Sequence, residues 1–198
     1  MGWLHMHSLH GHAGPRQYLD AQFTFSGPHG SSRVLRSALV GMRVYYAAVE
    51  RLRSGHEREV SAVVCLVRYN PRDREGYIFG YKDMHEAMGP WEADCPEAIL
   101  DLLTPTDQSY ALAWRGRCRA NIERRRMLAA KLRPAPGQTI VFDVPIAFAD
   151  GAILDRLDVV ADPRGRRTVL FRDPARGGLY SVPNVRQRDY QLIDLPRI

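Results

Sequence analysis

Residues 33–69 read RVLRSALVGMRVYYAAVERLRSGHEREVSAVVCLVRY, and the fold turns on how this stretch is divided. Val34, Leu35, Ala38, Leu39, Met42, Tyr46 and Val49 fit one face of a helix. Val44, Tyr45, Tyr46 and Val49 suit strands instead. Gly41 is costly inside a helix. Ser54-Gly55 separates the first run from Val60–Tyr69, which is strand-like throughout. These signals predict a β-hairpin over Met42–Arg53 and Glu59–Tyr69, with a helix over 33–53 as the competing reading.

Upstream, Trp3–Leu9 reads as a short strand with His5 and His7 on one face. Arg16–Phe25 reads as a short helix, and Ser26–Ser32 as a loop rich in breakers. Downstream, Tyr77–Tyr81 continues the strands. The stretch Gly76–Leu103 then carries a knot of polar groups, Asp83, His85, Glu86, Glu92 and Asp94, with Trp91. Pro96 is expected at the first position of a short apolar helix, with Cys95 as its N-cap. Thr104–Asp107 stops that helix and opens a second one running to about Leu132. Tyr110, Trp114, Cys118 and Ile122 form its predicted buried stripe.

Pro134–Gly137 reads as a linker. Beyond it Thr139–Val144, Leu157–Val160, Thr168–Arg172, Leu179–Val182 and Tyr190–Leu195 are five short strands between Gly- and Pro-containing turns. The expected fold is α+β. Residues 1–133 form a mixed or antiparallel sheet with a few helices, ending in a basic helix. Residues 138–198 form a small SH3-like antiparallel β module.

The chain has 198 residues and a formal net charge of +6. The excess is local. Arg115, Arg117, Arg119, Arg124, Arg125, Arg126, Lys131 and Arg133 are opposed between Pro105 and Pro134 only by Asp107 and Glu123. A basic helix of this kind suits an anionic partner, either nucleic acid or an acidic protein surface, with Arg115, Arg117, Arg119, Arg124, Arg126 and Lys131 as binding residues. Three cysteines without CxxC spacing suit reduced thiols in the cytoplasm. No apolar run is long enough for a bilayer, no secretory signal opens the sequence, and no phosphate-cradling loop implies a nucleotide cofactor.

Several groups could carry chemistry instead. An N-cap thiol at Cys95 would be biased towards thiolate, with His85 as its base and Asp83 and Glu86 as further carboxylates; the bland reading tucks Cys95 under Trp91. His5 and His7 could share a metal. An enzyme, a transferase or hydrolase, would assemble its site from His5, Tyr46, Asp83, Glu86 and Cys95. Tyr45, Tyr46, Tyr77, Phe79 and Tyr81 could line a stacking surface, although the shared parity of the last three fits a buried face.

Five stretches also resemble a family of bacterial proteins of unknown function carried by plasmids, phages and integrative elements. They are MGW at Met1–Trp3, VLRSALVGMRVYYAAVE at Val34–Glu50, FGYKDMHEAMGP at Phe79–Pro90, DCPEAILDLLTPTD at Asp94–Asp107, and the Tyr110, Trp114, Cys118 helix. The likeness spans roughly residues 1–130. It implies an accessory protein of mobile DNA, with interference in a host-defence complex as one purpose, and implies no activity. The expectation is a non-enzymatic binding protein that acts through its basic helix.

Overall fold

The computed structural model describes residues 2–53, 58–72, 78–165 and 169–194, with the Arg53 side chain outside that set. Tyr77, one of the candidate aromatics, lies outside the described residues. Two compact units divide at Arg125/Arg126. The fold is α+β, dominated by two antiparallel sheets.

The first unit is a six-stranded sheet in the order β1-β6-β5-β4-β3-β2. Its strands are β1 (Leu4–Met6), β2 (Phe25–Gly27), β3 (Gly30–Val40), β4 (Val44–Arg53), β5 (Arg58–Tyr69) and β6 (Phe79–His85). The competition over residues 33–53 resolves into strands: β3 and β4 pair from Gly30↔Arg53 to Val40↔Val44, and β4 and β5 form the predicted hairpin. The turn between β3 and β4 has φ of 58° at both Gly41 and Met42. Consecutive positive φ values match the right-handed twist of a hairpin and are costly for Met, so the strands on either side hold Met42 there.

Helices cover both faces of this sheet. On one face, helix α1 (Pro15–Gln22) buries Tyr18 and Leu19 against Tyr45, Ala47, Val49, Val63, Cys65 and Phe79. On the other, helices α2 (Glu97–Leu100) and α3 (Ser109–Ala130) bury Ile99, Leu100, Trp114 and Cys118 against Tyr46, Ala48, Val60, Ala62 and Val64. With neither face wet, strands need no polar alternation, which accounts for the continuous apolar runs of β4 and β5. The helix-like spacing of β3 has the same origin. The β3–β4 register shifts between Val34 and Arg36. Val34 and Leu39 pack on one core while Leu35, Ala38 and Val40 pack on the other. A bulge at Leu35 therefore changes which parity faces which core, and two apolar faces out of phase imitate a 3.6-residue repeat.

Other expectations are corrected. β1 is shorter than Trp3–Leu9 and holds His5 but not His7. Residues 26–32 are a tight hairpin rather than a loop: Gly27 pairs with Gly30 across Pro28-His29. Pro96 is the N-cap of α2, with φ −60° and ψ 140°, so Cys95 precedes the cap. The buried stripe of α3 begins at Ala111, 1 % exposed, whereas Tyr110 is 70 % exposed. Trp91 does not cover Cys95; it is 93 % exposed.

The second unit is a five-stranded antiparallel sheet in the order β10-β9-β8-β7-β11. Its strands are β7 (Gln138–Ala147), β8 (Ile153–Ala161), β9 (Val169–Arg172), β10 (Leu179–Tyr180) and β11 (Tyr190–Asp194). All five expected strands are present. Ile140, Phe142, Leu157, Val159 and Phe171 point into one core, and Arg156 and Arg172 between them point outward. Pro134 of the expected linker is buried.

Candidate functional site: the Trp91 loop and the flank of helix α3

The polar knot after β6 does not converge on one point. β6 ends at His85, and residues Glu86–Met88 make a single 3-10 turn. Beyond that end, the edge of β5 has lost its partner strand. The Glu86 side chain, 2 % exposed, takes over: its Oε1 accepts from the Ala62 backbone amide at 3.2 Å. The Arg115 guanidinium reaches the same carboxylate from α3, with Nε 2.6 Å from Oε2 and Nη2 2.7 Å from Oε1. Its remaining Nη1 donates to the Thr104 carbonyl at 2.7 Å. This is a bidentate, buried pair. Arg115 is therefore removed from the expected cationic surface.

His85 caps the 3-10 turn. Its Nδ1 accepts from the Ala87 amide at 3.2 Å, so Nε2 carries the proton and donates to Ser61 Oγ at 3.0 Å. Burial and the nearby Arg51 charge lower its pKa, favouring the neutral ring. Both ring nitrogens are thus engaged away from Cys95. The Cys95 thiol is fully buried, burial pushes its pKa up, and it lies 3.7 Å from the Pro96 carbonyl. Burial also raises the Cys118 thiol to about 11. These are core thiols, without the electropositive, partly open setting of a nucleophile.

The remaining candidates separate as well. Tyr46 is 1 % exposed and its hydroxyl accepts from the Asp94 amide at 3.1 Å, while burial raises its pKa. Asp83 pairs in register with Cys65, whose side chain packs in the α1 core, so Asp83 faces away from Tyr46 and Cys95. Tyr45 also packs in the α1 core, donating to Asp20 at 2.7 Å. Phe79 and Tyr81 are buried on that same face. His5 stacks on Trp3 with centroids 6.2 Å apart, and among the described residues no three His, Cys, Asp or Glu side chains group closely enough to hold a metal ion.

What α3 leaves outward is more selective than a uniformly basic helix. Tyr110, Arg117 and Arg124 are seven residues apart and share one flank. Arg117 Nη2 donates to the Pro90 carbonyl at 2.7 Å, and Arg124 Nη2 to Asn121 Oδ1 at 3.3 Å. Both are exposed, and neither bond neutralises the charge. Gly89 takes φ 62°, and a Cβ there would lie 3.4 Å from Tyr110 Cδ1, so the loop 88–91 lies against this flank. That loop presents Met88, 56 % exposed, and Trp91. The loop is fixed from beneath: Trp114 Nε1 donates to the Glu92 carbonyl at 2.8 Å and Asn121 Nδ2 to the Ala93 carbonyl at 3.0 Å. A loop fixed in this way holds an exposed indole one residue beyond the carbonyl that Arg117 reaches, with Arg124 two turns further along the same flank.

The other binding candidates lie elsewhere. Arg119 and Arg126 are exposed on the opposite flank, the row of Arg115. Arg125 pairs with Asp94 at 3.6 Å. Lys131 follows the end of α3, donates to the Arg188 carbonyl, lies 3.4 Å from Asp189, and sits over the Tyr190 ring at 4.5 Å. It is therefore not part of the Arg117–Arg124 row. The sequence signal that could have exposed Trp91 is its position after Gly89-Pro90, a turn that lifts the next side chain from the surface.

A family described as a domain of unknown function (DUF6927) matches residues 105–185, which run from the start of α3 into the second unit. No curated protein and no solved structure matches the chain. No helix among the described residues is long and apolar enough to cross a membrane.

Proposed function

We propose that this is a non-enzymatic binding protein that engages single-stranded nucleic acid through the Trp91 loop and the Arg117–Arg124 flank of α3. The observation that carries the reading is an exposed Trp91 ring in the loop that Arg117 bonds, on a helix flank where Arg117 and Arg124 are exposed and have no carboxylate partner among the described residues. Bases of any sequence stack on such a ring, and phosphates attract the guanidinium groups. Arg119, on the far flank, adds to the positive field. The likeness over residues 1–130 supports an accessory role in mobile DNA, where single strands and their protein complexes are at hand. For the second unit we propose the SH3-like reading. It is supported by a strand order in which β11 returns to β7, and by a 3-10 turn at Val185–Gln187 between β10 and β11.

The test is binding of a labelled oligonucleotide across a salt series. Arg117→Ala with Arg124→Ala should lower affinity and flatten the log–log salt slope by roughly 0.7 per lost phosphate contact. Trp91→Ala should cost about 1–3 kcal/mol. An affinity and slope unmoved by both changes, or capture of an acidic protein that survives nuclease, would overturn the nucleic-acid reading.

A further inference from the structure

A groove of about 1160 Å³ opens at one end of the first sheet, between the β3–β4 turn, the end of β5 and the paired β1 and β6. Its floor is apolar, from Val44 and Leu66. One wall is a planar stack: the Arg68 guanidinium lies 3.9 Å from the centre of the Trp3 ring, which in turn stacks on His5. The stack needs a glycine beneath it. His5 pairs with Gly80, and a Cβ at Gly80 would come within 2.9 Å of His5 Nδ1 and 3.2 Å of the Leu4 carbonyl.

The polar rim is small and mixed. Arg43 is exposed at the turn, and its side chain has no ion pair or hydrogen bond among the described residues. Arg68 has its contact with Trp3 and, among the described residues, no carboxylate. Asn70 uses its Oδ1 for the Arg72 amide, which leaves its Nδ2 as a donor. Glu92 supplies one carboxylate from the loop that follows Trp91. A groove with an apolar floor, aromatic walls and a few convergent polar groups is the usual form of a small-ligand site. Two cations, an amide and a carboxylate around flat rings suit a planar heteroaromatic ring that carries an anionic group.

We infer that this groove binds a nucleotide, its base against the Trp3 wall and its phosphate near Arg43 and Arg68. The nucleotide is either free or the terminal one of a strand lying along α3. The second source rests on the proposed function: Trp91 and Glu92 are consecutive, so a strand stacked on Trp91 has the groove one residue away.

The test titrates the full chain with adenosine 5′-monophosphate by calorimetry. The wild type should bind, and Arg43→Ala, a surface change at a turn, should weaken binding about tenfold or more, as should Arg68→Ala. Absence of binding at millimolar nucleotide, or binding unaltered in both variants, overturns the inference. The chain carrying Arg117→Ala and Arg124→Ala should still bind the mononucleotide. If it does while the wild type binds no oligonucleotide, the groove stands, the nucleotide is a free one, and the α3 reading fails. If the mononucleotide displaces a bound oligonucleotide, the groove takes strand ends. An oligonucleotide that binds α3 while the mononucleotide does not bind leaves α3 standing and removes the groove.

Discussion

The two sheets solve register in different ways. In the second unit one face meets one core, with Ile140, Phe142, Leu157, Val159 and Phe171 inside and charged neighbours outside. A one-residue slip there would put most of the buried apolar set in water, so hydrophobicity does most to specify the pairing, beside a register shift between Val141 and Ile146. In the first unit β4 and β5 meet cores on both faces. A slip there would exchange one apolar face for another and cost far less in burial. Register must then be set by groups that tolerate one position only. Four are visible: the Gly41-Met42 turn, the bulge at Leu35, and two carboxylates. Glu86 ties the Ala62 amide to Arg115. Glu50, 3 % exposed, accepts from Arg33 across β3 and from Arg58 on β5 at 2.5 Å. A sheet covered on both sides depends on its polar exceptions.

The largest expected effect tests that dependence. Glu86→Ala leaves the Arg115 guanidinium buried without a counter-charge and should cost about 3–5 kcal/mol in urea unfolding. A double change to Glu86→Leu with Arg115→Met should recover much of the loss in stability. If the comparison holds, it should not recover the dispersion of the β5 amide signals, because the register pin is gone. A loss below 1 kcal/mol for Glu86→Ala would break the comparison.

In the second unit the weight falls on apolar side chains. Leu157→Ala should cost about 2–5 kcal/mol through lost burial and the cavity left behind. The ion pair between the half-exposed Arg172 and Asp158, at 3.6 Å, should matter little. Arg172→Ala should stay within about 1 kcal/mol, and a larger loss would mean that this sheet too is held by its charges.

The smallest effects are read from pH. The His85 pKa is lowered in the folded state, chiefly by burial. A base with a depressed pKa contributes its full stability above the unfolded value of about 6.5. The contribution falls as the pH drops through that value towards the folded one, because the unfolded chain takes up the proton first. Glu50 is also lowered, with the Arg33 bond as leading cause. Its contribution is present above the ordinary glutamate range and is lost as the pH falls through the folded value. The two losses occur in separate windows, one opening below about pH 6.5 and the other below about pH 4.5. His85→Asn should flatten only the upper one and Glu50→Gln only the lower, as read from unfolding midpoints across pH. A variant that flattens both windows would mean that Glu50, opposite Val60, and His85, bonded to Ser61, titrate as one network.

The second unit was legible because its pattern is local. Alternation along each strand and breakers between strands lie within a few residues of one another, so all five strands could be read directly. Residues 33–53 were ambiguous because a bulge between two apolar cores has no local signature distinct from a helix face. The candidate site was legible in part. The seven-residue spacing of Arg117 and Arg124 on one flank was in the sequence. The capture of Arg115 by Glu86, 29 positions away, was not. Neither was the exposure of Trp91 and Tyr110, since aromatic residues near helical spacing read as core until the packing partner is known.

The sequence by itself determined the α+β class, the strands of the second unit and the concentration of positive charge on one helix, since each follows from composition and neighbour spacing. Only the tertiary structure decided which arginines stay free, which thiols are sealed in the core and which tryptophan faces water. Those outcomes depend on contacts between segments tens of residues apart, where desolvation and hydrogen bonding, rather than local preference, select the partner.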